Sequence, residues 1–305
     1  MRALDRMIAA SLPIVPRVVV RKIADRYIAG EALGDAVATV RGLNGRGAMA
    51  TVDVLGEFIR NPQEAEMTAT EYERALDAIA AEQLAANVSV KLSALGIEID
   101  RELVDRTLAR VFVSAERHGI FVRIDMEHSG LTDQTLDVYR RLREAGHDHT
   151  GVVIQAYMRR SAADIAGLAD LAPSVRLVKG IYVEPEEVAF KRMPEINANF
   201  MLLLEQLIDQ GSYVAVATHD RALVGAALEL IERRGLERDR YEFQMLLGVA
   251  GGIGRRLITD GHRLRVYVPY GRAWYAYSVR RLKENPSIAG YVARDVVRAL
   301  VPGLE

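Results

Sequence analysis

The chain has no cysteine among its 305 residues. That excludes disulfides, thiol nucleophiles, thiolate metal sites and a cysteinyl-linked cofactor. It rules out disulfide-stapled secretion and leaves the redox compartment otherwise open. Net charge is almost absent too, at −1, so there is no broad field for holding nucleic acid. No apolar run is long enough to span a bilayer. No Pro/Ser/Gly-rich linker and no low-complexity stretch divides the chain, which points to one domain. No early Gly-rich turn marks a dinucleotide-binding open sheet. The first residues, MRALDRMIAASLPIVPRVVVRK, superficially resemble a signal peptide. Their short apolar part contains two prolines, runs into Arg17 and lacks a small-residue cleavage site, so a cytoplasmic protein is expected. Residues 1–30 carry six Lys/Arg against two Asp. The ordinary reading is a charged helical segment; the alternative is a weak docking face for an anionic membrane.

Hydrophobic residues make up 50 % and charged residues 27 %, a globular balance. Eight short apolar, β-branched runs recur, at 47–56, 88–95, 121–128, 151–158, 174–182, 213–220, 241–248 and 263–271. Helical patterns lie between them, such as 68–85 and 196–211. Eight strands alternating with helices predict parallel pairing in a (β/α)8 barrel, with a doubly wound open sheet as the alternative. The runs show little polar/apolar alternation, as expected for strands covered by helices. Residues 1–45 are expected to form helices against the barrel, and residues 46–305 the barrel itself.

The chemistry of a βα barrel sits at the C-terminal ends of its strands. The polar residues of the eight runs gather there. Asp53 is late in the first run, and Lys91 interrupts the second. Asp125, Glu127 and His128 close the third. Gln155 is late in the fourth, Arg176 and Lys179 lie in the fifth, and Thr218, His219 and Asp220 close the sixth. Gln244 is in the seventh and Tyr267 in the eighth. Buried charges in strands need partners, and a polar ligand at the barrel mouth supplies them. Plainer uses exist for each. Lys91 suits an exposed strand end, Asp125 a turn cap, and His219 the neighbourhood of a helix N-cap. Asp53 is read as a structural partner of a neighbouring cation. Asp125, Glu127 and His128 fall within four residues with no matching histidine elsewhere, so no metal is expected.

After the last run comes YAYSVRRLKEN. At about 100° per residue, Tyr277, Arg280, Arg281 and Glu284 share one helical face. Two arginines aimed together suit a carboxylate held in a bidentate, planar way, with Glu284 spaced to orient both. A solvated basic face with i,i+4 pairs is the plainer reading.

Taken in order, VSVKLSAL, VRIDMEH, VVIQAY, VRLVKGIY, ATHD, EFQMLLG, YVPYG and Tyr-x-x-Arg-Arg-x-x-Glu resemble the proline dehydrogenase family over about residues 47–285. The chain is similar to the monofunctional members. The resemblance implies a flavin barrel with extra N-terminal helices and a C-terminal helix bearing the substrate arginines. It implies non-covalent FAD and oxidation of L-proline across C5–N to Δ1-pyrroline-5-carboxylate. Hydride would pass to flavin N5 and electrons to a quinone at the membrane. A separate pyrroline-5-carboxylate dehydrogenase would take the product. By resemblance, Arg280, Arg281 and Lys91 bind the carboxylate. Tyr267 and Tyr277 line the proline pocket, and Asp125 holds the cations and Tyr267 in place. Arg176 acts near flavin N5, and Gln155 and Gln244 address the isoalloxazine or ribityl edge. Lys179, Thr218 and His219 lie near the ribityl and phosphate portion, and Gly180 permits close backbone approach. No general base stands out. The chain departs from the family at Ile181, where a small Ala is frequent, and at Val183, where some relatives have Trp. Its segment between Tyr267 and the double arginine is two residues shorter than in the bifunctional members. The alternatives are a hydroxyproline dehydrogenase, another flavin barrel such as a methylenetetrahydrofolate reductase-like enzyme, or a non-catalytic amino-acid-binding barrel.

Overall fold

The computed structural model describes residues 26–56, 59–249 and 251–275, together with Arg21, Ala24, Tyr277 and Ser278. Eight strands form one closed, parallel barrel: β1 (Met49–Val54), β2 (Ala86–Val90), β3 (Val122–Ile124), β4 (Thr150–Gln155), β5 (Ser174–Val178), β6 (Tyr213–Ala217), β7 (Tyr241–Leu246) and β8 (Leu264–Tyr270). Each strand pairs with its sequence neighbour, and β8 closes onto β1 with Val52 opposite Val268. The barrel expected from the eight runs is the barrel observed.

Before β1 comes α1 (Leu33–Asn44), packed against β1 and β8. Among the described residues, seven α-helices follow within the barrel: α2 (Pro62–Ala81), α3 (Arg101–His118), α4 (Thr132–Glu144), α5 (Ser161–Ala166), α6 (Met193–Asp209), α7 (Arg221–Arg233) and α8 (Gly251–Thr259). Local chemistry sets their starts. Asn61 caps α2 by accepting from the Glu64 N–H at 3.0 Å, and Pro62 occupies the first turn. Asp220 caps α7, accepting from Ala222 N at 3.0 Å. One face of α2, at Ala65, Ala69, Tyr72, Leu76 and Ile79, is buried at helical spacing.

The strands do alternate, contrary to the expectation from the runs. Val52, Val88, Val90, Ile124, Val152, Ile154, Val175, Leu177, Val214, Val216, Phe243 and Val266 belong to the apolar core between strands and helices. The intervening residues include Asp53, Ser89, Arg123, Arg176, Glu242, Gln244, Arg265 and Tyr267. They contact one another across the barrel interior. Both faces are buried, so hydropathy is high throughout. The inner face is polar because ion pairs and hydrogen bonds satisfy it.

Towards the N-terminal end of that interior, Glu242 is 2 % exposed. Arg265 grips both its oxygens, with Nε 2.8 Å from Oε1 and Nη2 3.1 Å from Oε2. Burial opposes the charge on Glu242. Arg265, Gln244 and Arg123 outweigh it, and the pKa is lowered from 4.5 to about 2. A depressed carboxylate contributes stability that is present above its unfolded pKa and lost as pH falls through the folded one. Denaturant unfolding is therefore expected to show this contribution declining between about pH 4.5 and about pH 2. Replacing the pair together, Glu242→Met with Arg265→Met, is expected to flatten that part of the profile. An unaltered acid slope would contradict the assignment.

Candidate active site

Six strands deliver side chains to one connected network at the C-terminal half of the barrel. Lys91 follows the last residue of β2. Its Nζ lies 2.8 Å from Asp53 Oδ1 on β1 and 3.3 Å from Asp125 Oδ2 after β3. It also donates to the Tyr267 hydroxyl on β8 at 3.0 Å. Arg176 on β5 donates from Nη1 to Asp125 Oδ1 at 2.7 Å, and from Nε to Gln244 Oε1 on β7 at 2.6 Å. Ser89 Oγ donates to Asp125 Oδ1 at 2.7 Å and accepts from Arg176 Nη1 at 3.1 Å. The guanidinium carbon of Arg176 and Nζ of Lys91 each lie 5.7 Å from the Tyr267 ring centroid, within cation–π reach.

Lys91 is therefore buried, at 6 %, and not at an exposed strand end. Asp125 is no turn cap; it ties the Lys91 and Arg176 cations together. Burial would discharge Lys91, but Asp53, Tyr267 and Asp125 outweigh it and hold its pKa well above the ordinary value. Burial likewise opposes ionisation of Asp125. Lys91, Arg176 and Ser89 overcome that and lower its pKa. Both stay charged at neutral pH. Tyr267 is pushed well up by burial and by Asp53, so its phenol keeps its proton. None of these three is poised to take a proton near neutrality.

The second group surrounds the loops after β4, β5 and β6. Gln155 ends β4 and donates from Nε2 to the carbonyls of Glu127 at 2.8 Å and Met126 at 3.2 Å. Lys179 pairs with Asp220 at 2.8 Å. Thr218 Oγ1 accepts from Asp220 N at 3.2 Å. His219 does neighbour an N-cap, Asp220, and its Nε2 accepts from Leu246 N at 2.9 Å. That places the proton of the neutral ring on Nδ1. The third-run residues diverge: Glu127 accepts from Ser93 N at 2.9 Å, while His128 meets the edge of the Tyr182 ring. Gly180 has φ +109°, and a Cβ there would sit 2.2 Å from Tyr157 Cδ1. Among the described residues, the close approach its lack of a side chain permits is that of the Tyr157 ring.

A helix begins at Trp274 after β8. Tyr277 is buried with Leu55, Trp274, Ala24 and Ile28, and its phenol is close enough to contribute to the raised pKa of Tyr267. Arg280, Arg281 and Glu284 lie outside the described residues. Two participants escaped the sequence reading. Ser89 bridges Asp125 and Arg176; its position two before Lys91, on the same strand face, is the signal that could have found it. The Tyr72 hydroxyl on α2 donates to Ser89 O at 2.7 Å and lies 3.3 Å from Asp53 Oδ1. Its spacing is that of any core-facing helical residue, so sequence held no signal for it.

Three buried atoms of this region have no hydrogen-bond partner among the described residues: Arg176 Nη2, Gln155 Oε1 and Asp53 Oδ2. No helix among the described residues is long and apolar enough to cross a membrane.

Residues 36–294 match the family model for proline dehydrogenase. Proline dehydrogenase 1 of Bacillus subtilis is 38 % identical over 275 residues, covering 90 % of this chain and 91 % of that protein. Proline dehydrogenase of Deinococcus radiodurans is 36 % identical over 280 residues, covering 90 % of each. Among solved structures, proline utilization A from Bdellovibrio bacteriovorus, inactivated by N-propargylglycine, superposes with a TM-score of 0.81 at 28 % identity. That match covers 90 % of this chain and 34 % of the solved one, so the chain spans about a third of it.

Proposed function

The chain belongs to the proline dehydrogenase family, a family of oxidoreductases, and from that premise we propose that it oxidises L-proline to Δ1-pyrroline-5-carboxylate with non-covalent FAD. When bound, the flavin would accept hydride from C5 of the substrate, and a quinone at the membrane would later take the electrons. The observation that carries this reading is the convergence of Asp53, Lys91, Asp125, Arg176, Gln244 and Tyr267 from six strands into one buried network.

The residues fit the cofactor by donor and acceptor type. A flavin ring offers an acceptor at N5 and an N–H donor at N3. Arg176 Nη2 is a donor and Gln155 Oε1 an acceptor, both buried and unpartnered among the described residues. A cation beside the ring favours its reduced, anionic form. Lys179, Thr218 and His219 would serve the ribityl and phosphate portion.

Lys91 is the first cation of the substrate clamp. Its ammonium has two carboxylates beside it and needs a fixed direction to act on a third. Asp53 and Tyr267 supply that direction. Arg280 and Arg281 complete the clamp, and Glu284 orients them. Three cations around one carboxylate fix the ring and aim C5, which is catalysis by positioning. The amine must lose its proton before hydride leaves. Asp125, Lys91 and Tyr267 keep their charge states, and we assign the proton to water. Tyr267 and Tyr277 would wall the pocket, and the engaged Tyr267 hydroxyl leaves little room for a ring hydroxyl on the substrate. We place the quinone at the inner face of the membrane, with a separate pyrroline-5-carboxylate dehydrogenase downstream.

Steady-state turnover with L-proline and a soluble quinone tests this reading. Arg280→Met and Arg281→Met are each expected to lose at least about 10-fold in kcat/KM, or about 1.4 kcal/mol, with FAD retained. Wild-type proline kinetics in both would remove the arginines from the clamp. An FAD-loaded protein inert to proline would favour an amino-acid-binding barrel without catalysis.

A further inference from the structure

Gln244 does not meet Arg176 by chance of rotamer. Its carbonyl oxygen accepts from Arg176 Nε at 2.6 Å, and its amide nitrogen donates to Glu242 Oε1 on the same strand face. A glutamine amide has one accepting and one donating end. If it flipped, its NH2 would face a guanidinium that can only donate. Glu242, by taking the NH2, selects the orientation that offers Arg176 an acceptor. Glu242 is itself held at four points. Arg265 binds both oxygens, the Tyr213 hydroxyl donates to Oε2 at 3.0 Å, and Gln244 takes Oε1. Arg265 in turn is anchored to the Ala50 carbonyl at 2.8 Å. A rigid chain therefore runs from the lower barrel to the guanidinium that the function above places beside the flavin.

We propose that Glu242, clamped by Arg265, is a positioning residue for the redox step: it fixes the Gln244 amide and, through it, the direction in which Arg176 presents its unpartnered Nη2. This rests on the flavin reading above. Arg176 has one direct carboxylate partner among the described contacts, Asp125 at 2.7 Å. That bond fixes Nη1, and the bond from Nε to Gln244 fixes the plane. Two anchors on a planar group determine its orientation, whereas one leaves it free to swing.

The decisive measurement is the midpoint potential of the bound flavin, by anaerobic spectroelectrochemistry without substrate. Glu242→Met with Arg265→Met removes the pair as a unit with no change in net charge, and leaves the buried Arg123 held by the Val152 and Ser174 carbonyls. Its potential is expected to fall by about 30 mV, a ten-fold shift toward oxidised flavin in a two-electron couple. kcat should fall with it, and KM for proline should change little. Gln244→Met leaves the Glu242–Arg265 pair intact and is expected to reproduce the same lowered potential. It supplies the answer if the double variant does not fold. Glu242→Gln retains an acceptor for Gln244 and is expected to stay close to the parent potential. A parent potential in the flavin-loaded double variant or in Gln244→Met would overturn the relay while leaving the function standing. A rise in potential in Glu242→Gln would show that Glu242 acts as a charge and not as a positioner, which also overturns it. A parent protein that takes up no flavin would remove the functional reading itself.

Discussion

Lys91→Met is expected to lose both fold stability and turnover. Its ammonium sits between two carboxylates, 2.8 Å from Asp53 and 3.3 Å from Asp125, in a site with almost no solvent. Removing one partner of a buried ion pair costs about 3–5 kcal/mol, because the remaining charge is left uncompensated. Here Asp53 is left without its cation, while Asp125 keeps Arg176 at 2.7 Å, and the Tyr267 hydroxyl loses its donor. Losing one of three proposed carboxylate contacts is expected to lower kcat/KM by at least about 100-fold, or about 2.7 kcal/mol. The two effects separate in a double variant. Adding Asp53→Asn removes that orphaned carboxylate and should recover much of the denaturation midpoint. It should restore none of the turnover, because the clamp still lacks its cation. Parent-like stability and proline kinetics in Lys91→Met would show that the network is a surface feature.

Gly180→Ala is the second large effect, and its cause is steric. At φ +109° an L side chain is strained wherever it stands. A methyl at this position would also lie 2.2 Å from Cδ1 and 2.4 Å from Cε1 of Tyr157. That ring cannot simply swing away. It is buried with Met158, Ala189 and Ile196, and its backbone N–H is bonded to the Lys179 carbonyl at 2.8 Å. Overpacking typically costs about 1–3 kcal/mol and a left-handed non-glycine residue about 1–2 kcal/mol, so about 2–5 kcal/mol is expected. Chemical denaturation of the single variant gives the sum. Measured against Tyr157→Ala alone, adding Gly180→Ala should cost only the backbone strain, because the overlap is gone. Unchanged stability in the single variant would place the Tyr157 ring elsewhere.

The barrel was legible because eight apolar, β-branched runs at regular spacing admit few closures. Strand ends were less so. The run 121–128 contains a strand only over Val122–Ile124, and 88–95 includes a buried 3-10 turn at Ser93–Leu95. Burial makes a segment apolar whether or not it is extended, so composition overran the strands at their C-terminal ends. The start of α2 lay in plain view as Asn61–Pro62, a cap followed by proline at the first turn. A reading that begins the helix at residue 68 follows the apolar period and misses the cap. The inner-face polarity of the barrel was hidden for a different reason. Asp53, Ser89, Lys91, Arg123, Glu242 and Arg265 look like isolated interruptions until register brings them together. Gln244 illustrates the limit best. Its resemblance to a cofactor-facing position says nothing of Glu242 two residues earlier, because only the strand's period of two puts both amide and carboxylate inside the barrel. Val183 is 92 % exposed, so the chain presents a small aliphatic side chain to solvent there.

The most direct test of the central claim is anaerobic mixing of the FAD-loaded protein with L-proline while the flavin absorbance near ~450 nm is followed. Prompt bleaching by L-proline, and much less by trans-4-hydroxy-L-proline, is the predicted result. Oxidised flavin that persists at saturating proline would contradict the account.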